Sequence, residues 1–210
     1  MRTKRIVVLV SGGGTNLKAL IDALQDGKIT NAEIAAVISS TPDAYALSRA
    51  KEANITGIVV DRKKYTGRNE FTTELIDVVK AQNPDCIVLA GFMCILSTEF
   101  CREFDRKIIN VHPALIPSFC GDGYYGLHVH EAALAKGVKV SGATVHFVNE
   151  VTDGGPIILQ KAVDVLQGDT PDSLQRRIME QAEWQILPEA VNLFCNEKLM
   201  ISEDRVYIRT

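Results

Sequence analysis

The chain has 210 residues, of which 46% are hydrophobic and 23% charged, and its formal net charge is −3 at pH 7. These values are ordinary for a globular protein with a sizeable core, and they give no support to nucleic acid or an anionic membrane as the main partner. No apolar run approaches the roughly 20 residues of a membrane span, and the short apolar run after the basic residues 1–5 leads into a glycine loop, which is typical of a first strand and not of a signal peptide.

The first predicted element is a buried strand at residues 6–10, which is followed by the loop SGGGTN at residues 11–16 and by a helix. A glycine-rich turn between a strand and a helix presents backbone N–H groups and the positive end of the helix dipole, and these attract anions. Thr15 and Asn16 add side-chain donors next to Gly14. The turn lacks the third glycine of a dinucleotide site and the Lys of a P-loop, so we expect it to bind a single phosphate. The alternative is a tight turn that binds nothing.

Strands and helices alternate from the first strand to residue 112, which predicts right-handed crossovers. We expect an α/β fold: a single Rossmann-like domain over residues 1–210, with a mostly parallel twisted sheet, helices on both faces and an antiparallel C-terminal part. The polar loop before the second long helix is interpreted as solvated surface, except for Arg68. The predicted strands are residues 34–38, 58–60, 87–90 and 108–112, and the predicted helices are residues 43–53, 69–81 and 98–104.

The strand at residues 108–112 ends in two polar side chains, Asn110 and His112, which are two residues apart. Such residues lie on the same side of an extended segment, and Pro113 biases His112 towards extended backbone. Because ligands of parallel sheets bind beyond the carboxyl ends of the strands, we expect both side chains to face one crevice. An amide donor beside a titratable ring suits acyl-group chemistry. The alternative is a strand end with a satisfied polar pair.

A glycine- and tyrosine-rich loop at residues 118–126 follows this strand, and we expect it near the crevice. A helix is predicted at residues 128–136, where His128 and His130 are expected to face solvent or to cap the helix, because two histidines without a third ligand are weak evidence for zinc. The five cysteines include no CxxC pair, which indicates free thiols and a cytoplasmic protein. No signature supports Cys120 as a nucleophile, and a buried or idle thiol is the expected reading.

Two further strands, at residues 142–148 and 157–163, flank a turn that contains Asp153, and they predict an antiparallel hairpin attached to the sheet. Asp before Gly is common in turns for conformational reasons alone, which is the alternative to a functional role. The last long helix is expected to break or kink at Pro188. The final predicted element is a small hairpin at residues 198–209.

Five stretches of the chain together resemble the phosphoribosylglycinamide formyltransferases (glycinamide ribonucleotide transformylases) of the folate-dependent formyltransferase superfamily. The stretches are SGGGTNLKAL, IVLAGFMCIL, INVHPALIPSF, SGATVHFVNEVTDGGPIILQ and RRIMEQAEWQILP. The NxHPxLxP element with the later Asp-Gly-Gly turn indicates the superfamily, and the SGxG[ST]NL loop indicates this branch. The resemblance covers nearly the whole chain. It implies an enzyme of de novo purine (IMP) biosynthesis that transfers the formyl group of 10-formyltetrahydrofolate to the amine of 5-phosphoribosylglycinamide, giving formylglycinamide ribonucleotide and tetrahydrofolate.

The resemblance also implies roles for individual residues. It implies a catalytic group of Asn110, His112 and Asp153, in which the carboxylate keeps the imidazole protonated near neutral pH. The residues implied to hold the ribonucleotide are Gly14, Thr15, Asn16, Glu180 and Glu183. The residues implied to hold the formyl-folate are Arg68, Met93, Cys94, Ile95, Leu96, Asn110, Asn149, Glu150, Val151, Thr152 and Asp153. The phosphate-binding half would span about residues 1–110 and the folate and catalytic half about residues 111–210.

The resemblance implies that formyl-folate serves as a co-substrate, that no metal is needed, and that the partners are small molecules and not nucleic acid or membrane. A monomer or a homodimer is expected. Three departures from the family pattern stand out. Cys94 replaces an Arg found in some relatives, Thr152 replaces an aliphatic residue, and the stretch CGDGYYG is absent from relatives with a shorter loop.

Four other functions compete with this interpretation. A formyltetrahydrofolate hydrolase uses water in place of the amine, but it usually carries a further domain before this fold. Methionyl-tRNA formyltransferase would need a second, basic domain. A nucleotide-dependent oxidoreductase would need a third glycine where Leu17 stands and an acid where Ser39 and Ser40 stand. A phosphosugar-binding protein without activity would not need Asn110 or His112.

Overall fold

The main sheet has seven strands in the spatial order β3-β2-β1-β4-β5-β6-β7. The computed structural model describes residues 2–209, without the side chain of Arg68. Strands β1 to β5 pair in parallel with one another, whereas β6 pairs antiparallel with both β5 and β7. The predicted α/β architecture with an antiparallel C-terminal part is therefore confirmed. The strands are β1 (Lys4–Val10), β2 (Ala32–Ser39), β3 (Gly57–Val59), β4 (Cys86–Leu89), β5 (Ile108–His112), β6 (Val140–Phe147) and β7 (Ile157–Asp164).

Helices cover both faces of this sheet, because the buried strands are apolar on both sides. In β1, Val8 belongs to the core shared with α1 and α7, whereas its neighbour Leu9 belongs to the core shared with α3 and α4. Among the helices within residues 2–209, none is long and apolar enough to cross a membrane. The helices are α1 (Thr15–Gln25), α2 (Tyr45–Glu52), α3 (Arg68–Ala81), α4 (Thr98–Glu103), α5 (Leu127–Lys136), α6 (Pro171–Ile178) and α7 (Trp184–Cys195).

The last long helical segment is interrupted by a π turn at Met179–Glu183, which separates α6 from α7. Of the predicted break or kink at Pro188, the break is wrong, because this proline lies inside α7. A proline has no N–H, so Pro188 cannot donate to the carbonyl of Trp184. Trp184 directly follows the π turn, where the regular i to i−4 pattern is already interrupted. The predicted hairpin at the end of the chain is confirmed as β8 (Leu199–Ser202) and β9 (Arg205–Ile208).

The loops after β1 and β4 meet at the carboxyl edge of the sheet. The backbone N–H of Ser11 donates to the carbonyl of Gly91 at 3.1 Å, and the N–H of Met93 donates to Oγ of Ser11 at 2.8 Å. Strand β5 pairs directly with β4, so it ends at the same edge. The glycine loop, the segment after β4 and the polar end of β5 thus surround one crevice, as the rule for parallel sheets predicts.

Candidate active site

The three predicted catalytic residues come from two neighbouring parts of the fold. Asn110 and His112 lie on β5, and Asp153 lies in the turn between β6 and β7. Nδ1 of His112 is 3.5 Å from Oδ2 of Asp153, and the two side chains are only 5% and 10% exposed. Nδ2 of Asn110 is 3.1 Å from Nε2 of His146, which in turn is 3.7 Å from Oδ1 of Asp153. The three predicted residues therefore meet around a second imidazole.

Asp153 has a left-handed backbone, with φ of 53°. This conformation destabilises a residue with a Cβ by about 1–3 kcal/mol, and such strained residues are typical of functional sites. The turn around it is held by one bond to a side chain and one within the backbone: the N–H of Val151 donates to Oδ1 of Asn149 at 3.0 Å, and the N–H of Gly154 donates to the carbonyl of Val151 at 3.0 Å. A Cβ on Gly155 would lie 1.9 Å from the carbonyl oxygen of Phe147. The turn thus needs glycine to bring the carboxylate beneath His112.

The loop at residues 118–126 contacts both members of this pair through its backbone. The carbonyl of Phe119 accepts a hydrogen bond from Nε2 of His112 at 2.8 Å, and the N–H of Gly121 donates to Oδ2 of Asp153 at 2.9 Å. The predicted position of the loop beside the crevice is therefore confirmed. Between these contacts, the thiol of Cys120 donates to the carbonyl of Pro117 at 3.2 Å. Burial and the charge of Asp153 raise the pKa of this thiol, which disfavours the nucleophilic thiolate.

The electrostatics of the pair differ from the expectation. Burial lowers the pKa of His112, with a smaller contribution from the nearby His146, and together they outweigh the opposing influence of Asp153 and of the Phe119 carbonyl. The prediction that Asp153 keeps His112 protonated near neutral pH is therefore wrong for this structure. Burial alone would raise the pKa of Asp153, but the imidazoles of His146 and His112 and the Gly121 N–H together hold it below its usual value. The site holds a carboxylate beside a ring that can take up a proton.

Strand β6 supplies two site residues that the sequence analysis missed. His146 and Thr144 are the direct cross-strand partners of Asn110 and His112. The hydroxyl of Thr144 donates to the carbonyl of Ala114 at 2.6 Å and accepts from the N–H of Ile116 at 3.1 Å, so it fixes the chain just after His112. Alternation in the stretch ATVHF marks both side chains as one face of a strand. Only the pairing of β6 with β5 reveals which strand that face meets.

The histidines of α5 differ from each other. His128 is exposed, with its Nδ1 2.9 Å from Oε2 of Glu131, as expected for a surface residue. The expectation that His130 faces solvent or caps the helix is wrong, because its side chain is fully buried. Burial lowers the pKa of His130 to about 4, so its ring is neutral at physiological pH. Within residues 2–209, no group of three His, Cys, Asp or Glu side chains is arranged to hold a metal ion.

The glycine loop leads directly into the N-terminus of α1. Helix α1 begins at Thr15, and the first backbone bond at its N-terminus runs from the N–H of Lys18 to the carbonyl of Gly14. The N–H groups of the preceding turn thus have no partner within the helix. Gly14 has φ of 71°, and a Cβ there would lie 2.7 Å from Cβ of Ala46. The guanidinium of Arg49 donates to the carbonyl of Gly13 at 2.8 Å, which fixes the loop from the outside.

The π turn places Glu183 against this loop. Nδ2 of Asn16 donates to Oε2 of Glu183 at 2.7 Å, and both side chains are buried. Burial raises the pKa of Glu183 to about 7, although the bond from Asn16 opposes the shift. Oδ1 of Asn16 is buried and has no hydrogen-bond partner among residues 2–209. Glu180 is exposed and pairs with Arg176 at 2.8 Å, so of the two predicted glutamates only Glu183 contacts the glycine loop region.

Comparison with known proteins identifies the family. The family model described as "Formyl transferase" matches residues 4–191. The chain belongs to the formyl transferase family. A phosphoribosylglycinamide formyltransferase of Haemophilus influenzae is 41% identical over 98% of this chain and 93% of that protein. The trifunctional purine biosynthetic protein adenosine-3 of Drosophila melanogaster is 43% identical over 97% of this chain, but the chain spans only 15% of its length.

Solved structures agree with this assignment. Glycinamide ribonucleotide transformylase 1 from Symbiobacterium toebii is 42% identical and has a TM-score of 0.92, over 99% of this chain and 95% of that one. A formyltetrahydrofolate deformylase from Pseudomonas syringae pv. tomato is 27% identical and has a TM-score of 0.88, over 100% of this chain and 67% of that one. The fold is therefore common to relatives named for transfer and for removal of a formyl group.

Apart from Arg68, the remaining predicted residues of this formyl transferase lie in two segments, one after β4 and one after β6. In the segment after β4, Met93 and Ile95 are more than half exposed, whereas Cys94 and Leu96 are partly buried between them. In the turn after β6, the residues Asn149, Glu150, Val151 and Thr152 are all exposed. Thr152 donates to Oδ1 of Asp122 at 3.2 Å, which joins this turn to the loop at residues 118–126. The side chain of Arg68 lies outside the described part of the structure.

Proposed function

We propose that this formyl transferase moves the formyl group of 10-formyltetrahydrofolate to the amine of 5-phosphoribosylglycinamide, giving formylglycinamide ribonucleotide and tetrahydrofolate in de novo purine (IMP) biosynthesis. The observation that carries the proposal is the convergence of Asn110, His112 and Asp153 in the crevice that the glycine loop also borders. An anion site and a group for acyl transfer at one sheet edge suit a phosphorylated amine substrate. The names of relatives that match over more than nine-tenths of their length support the same reaction.

Asn110 would stabilise the negative charge that forms on the formyl oxygen when the amine attacks the formyl carbon. An amide N–H that faces this oxygen costs no reorganisation during the reaction, and loss of one such donor typically lowers the rate about 10²–10³-fold. Asn110 is only half-buried, so part of its side chain is accessible from the crevice.

His112 and Asp153 would manage the protons. The amine loses a proton as its bond to carbon forms, and the carboxylate beside a neutral ring can receive that proton either directly or through a water. Because the two groups lie 3.5 Å apart, a proton taken up by one is stabilised by the other, and the pair acts as one unit. The pair can then supply a proton to the folate nitrogen as its bond to the formyl carbon breaks. These steps need no metal ion.

The two substrates would approach from opposite sides. The phosphate of the ribonucleotide would lie on Gly14, Thr15 and Asn16, where the first turn of α1 offers N–H groups. Glu183 would bind the ribose or the glycinamide amine next to this turn, with Glu180 at the rim. The folate would lie on Arg68 and the segment Met93, Cys94, Ile95 and Leu96, with its formyl end towards Asn110 and Asp153 and the turn at residues 149–152 above it.

The test is an absorbance assay for deformylated folate with the purified protein. Both substrates together should give turnover, and omission of the ribonucleotide should abolish it. Turnover with the folate alone would instead indicate a hydrolase, the activity named for the deformylase relative. No turnover under either condition would contradict both functions and would favour a binding protein.

Variants of the proton-handling pair provide the second arm of this test. His112→Ala and Asp153→Ala should each lose most of the turnover, at least about 10²-fold, while folate binding largely survives. His128→Ala is the matched control, because this histidine is exposed, pairs with Glu131 and packs edge-on against the ring of Tyr125. Near-native turnover of either site variant would refute the role proposed for that residue.

We also propose that residues 1–210 act as one formyltransferase domain, as a monomer or homodimer, in the cytoplasm. Support for one domain comes from the sheet, which takes β1 to β5 largely from the phosphate-binding half and β6 and β7 from the folate and catalytic half. Support for a cytoplasmic location comes from the cysteines, all five of which are free thiols. No contact with nucleic acid or membrane enters the proposed reaction.

A further inference from the structure

His146 contacts two of the proposed catalytic residues but takes no part in the reaction described above. Its side chain is 1% exposed, and it stands directly across from Asn110 in the antiparallel pairing of β5 and β6. Nε2 of its ring is 3.1 Å from Nδ2 of Asn110 and 3.7 Å from Oδ1 of Asp153. The first distance is that of a hydrogen bond and the second is too long for one. Asn110 is thus the hydrogen-bond partner of Nε2.

The other ring nitrogen determines which way this hydrogen bond runs. Nδ1 of His146 is 2.8 Å from the carbonyl oxygen of Phe147. A carbonyl oxygen can only accept, so Nδ1 carries the hydrogen. In the neutral ring Nε2 is then a bare acceptor, and the amide of Asn110 must turn its NH₂ group towards it. The Phe147 carbonyl therefore sets the tautomer of His146, and the tautomer sets the orientation of the Asn110 amide.

We propose that His146 is a positioning residue that acts as a neutral Nδ1–H tautomer and holds the Asn110 amide with its NH₂ group towards the proton-handling pair. This inference rests on the proposed formyl transfer, in which Asn110 donates to the developing oxyanion. One amide hydrogen bonds to His146, and the second remains for the substrate oxygen. A rotation of the amide by half a turn would present its carbonyl oxygen instead, which repels the oxyanion. His146 prevents this rotation, because two acceptors cannot face each other at 3.1 Å without cost.

The local backbone supports this role. The pairing of β6 with β7 shifts register between Val145 and His146, and such irregularities are common beside active sites, where they redirect a side chain. The carbonyl of Phe147 is enclosed by the turn that carries Asp153, since a Cβ on Gly155 would lie 1.9 Å from its oxygen. The backbone N–H of Phe147 donates to the carbonyl of Pro156 at 2.9 Å. The acceptor that fixes the tautomer is thus held on both sides.

Two polar variants separate the two bonds of the ring. His146→Asn keeps a donor near the Nδ1 position, for the Phe147 carbonyl, but has no atom near Nε2. His146→Gln has a carbonyl oxygen that reaches the Nε2 position and can accept from Asn110. We expect kcat to fall about 10–100-fold in His146→Asn, a part of the loss typical of a whole oxyanion donor, while KM for both substrates changes less than about threefold. His146→Gln should recover most of that loss.

A double-mutant cycle tests whether the effect passes through Asn110. In an Asn110→Ala background, His146→Asn should lower kcat less than about threefold further, because there is no amide left to orient. In an Asp153→Asn background, His146→Asn should lower kcat by the same factor as in the wild-type protein. A full cost in the Asn110→Ala background, or a cost that disappears only in the Asp153→Asn background, would overturn the proposal. So would wild-type kcat in His146→Asn.

A spectroscopic measurement on the intact protein tests the tautomer without any turnover. Correlation spectra of protein labelled with ¹⁵N-histidine at pH 7.5 should contain one ring with a protonated Nδ1 and a bare Nε2, and this signal should disappear in His146→Gln. A protonated Nε2 or a cationic ring at that pH would refute the assignment. This result does not depend on which acceptor the enzyme formylates. Failure of the proposed function would instead appear as wild-type protein without ribonucleotide-dependent turnover.

Discussion

Replacing Glu183 with Gln removes a buried acid whose pKa lies near neutrality, and we expect the variant to be more stable than the parent protein at pH 8. Glu183 is 6% exposed, and its carboxyl group accepts a hydrogen bond from Nδ2 of Asn16 at 2.7 Å. One donor does not compensate for burial of a charge, so the folded state favours the protonated acid. Gln keeps the shape and an oxygen acceptor for Asn16 but never carries the charge.

The sign and size of the effect follow from the pKa. The value for Glu183 in the folded protein is raised from 4.5 to about 7. The stability that the protonated group contributes is therefore fully present below pH 4.5 and is lost as the pH rises towards about 7. At about 1.4 kcal/mol for each pKa unit, the interval corresponds to about 3 kcal/mol. The variant should gain about this much relative to the parent at pH 8 and almost nothing near pH 4.5.

Urea unfolding at pH 5, 6, 7 and 8 measures this difference in the free energy of unfolding. Glu180→Gln is the matched control, because Glu180 lies on the same π turn but is exposed and paired with Arg176. Its difference from the parent should stay within about 0.5 kcal/mol, as for other surface pairs. A Glu183→Gln difference that does not grow between pH 5 and pH 8, or that is a loss, would refute the reasoning. Ribonucleotide affinity should fall in the same variant, because the variant lacks the carboxylate that we propose binds the ribose or the glycinamide amine.

Three further changes test other parts of the structure. Gly14→Ala should lower the free energy of unfolding by about 2–4 kcal/mol, because φ is 71° and the added Cβ would lie 2.7 Å from Ala46. Gly13→Ala is the control, because a Cβ at Gly13 would meet open space. Equal losses in the two variants would contradict the steric explanation. Asp169→Asn should lower the free energy of unfolding at pH 7 by about 2–3 kcal/mol, because it breaks a bidentate pair with Arg177 at 2.6 Å. Since this ion pair lowers the pKa of Asp169, the loss should shrink as the pH falls below about 4. A constant loss in urea unfolding down to pH 3 would contradict this account. Thr144→Val should lower the free energy of unfolding by about 1–3 kcal/mol and should also lower kcat, whereas Thr144→Ser should restore both. Thermal melting measures the stability and the turnover assay measures kcat. A Thr144→Val variant with unchanged stability and kcat would exclude the positioning role of the hydroxyl.

The reliable parts of the sequence interpretation rest on local signals. Continuous apolar runs that end at Gly or Pro identified the buried parallel strands, because such strands are covered on both faces. The three glycines before Thr15 identified the tight turn, and the spacing of Asn110 and His112 placed both side chains on one side of β5. Each of these inferences depends only on residues within one strand or turn, so no knowledge of packing was needed.

The errors at the two histidines have a common cause in long-range packing, whereas the error at Pro188 is local. His130 has the same local surroundings as the exposed His128, but the helix turns it into the core, where burial lowers its pKa to about 4. The protonation of His112 was predicted from the charge of Asp153 alone, and burial proved to be the larger effect. Pro188 was expected to break or kink a helix, but α7 continues through it, and the π turn just before α7 already interrupts the regular hydrogen-bond pattern.

The order of residues along the chain by itself determined which segments become strands, where the tight glycine turn lies, and which polar side chains occur at strand ends. It did not determine that β6 pairs with β5, because this pairing depends on contacts between segments that are distant in the chain. That pairing brings His146 opposite Asn110 and encloses the pair of His112 and Asp153. Side chains become buried and hydrogen bonds take a direction only when such segments pack together. The tertiary structure therefore decided the protonation states of the buried histidines and the orientation of the Asn110 amide.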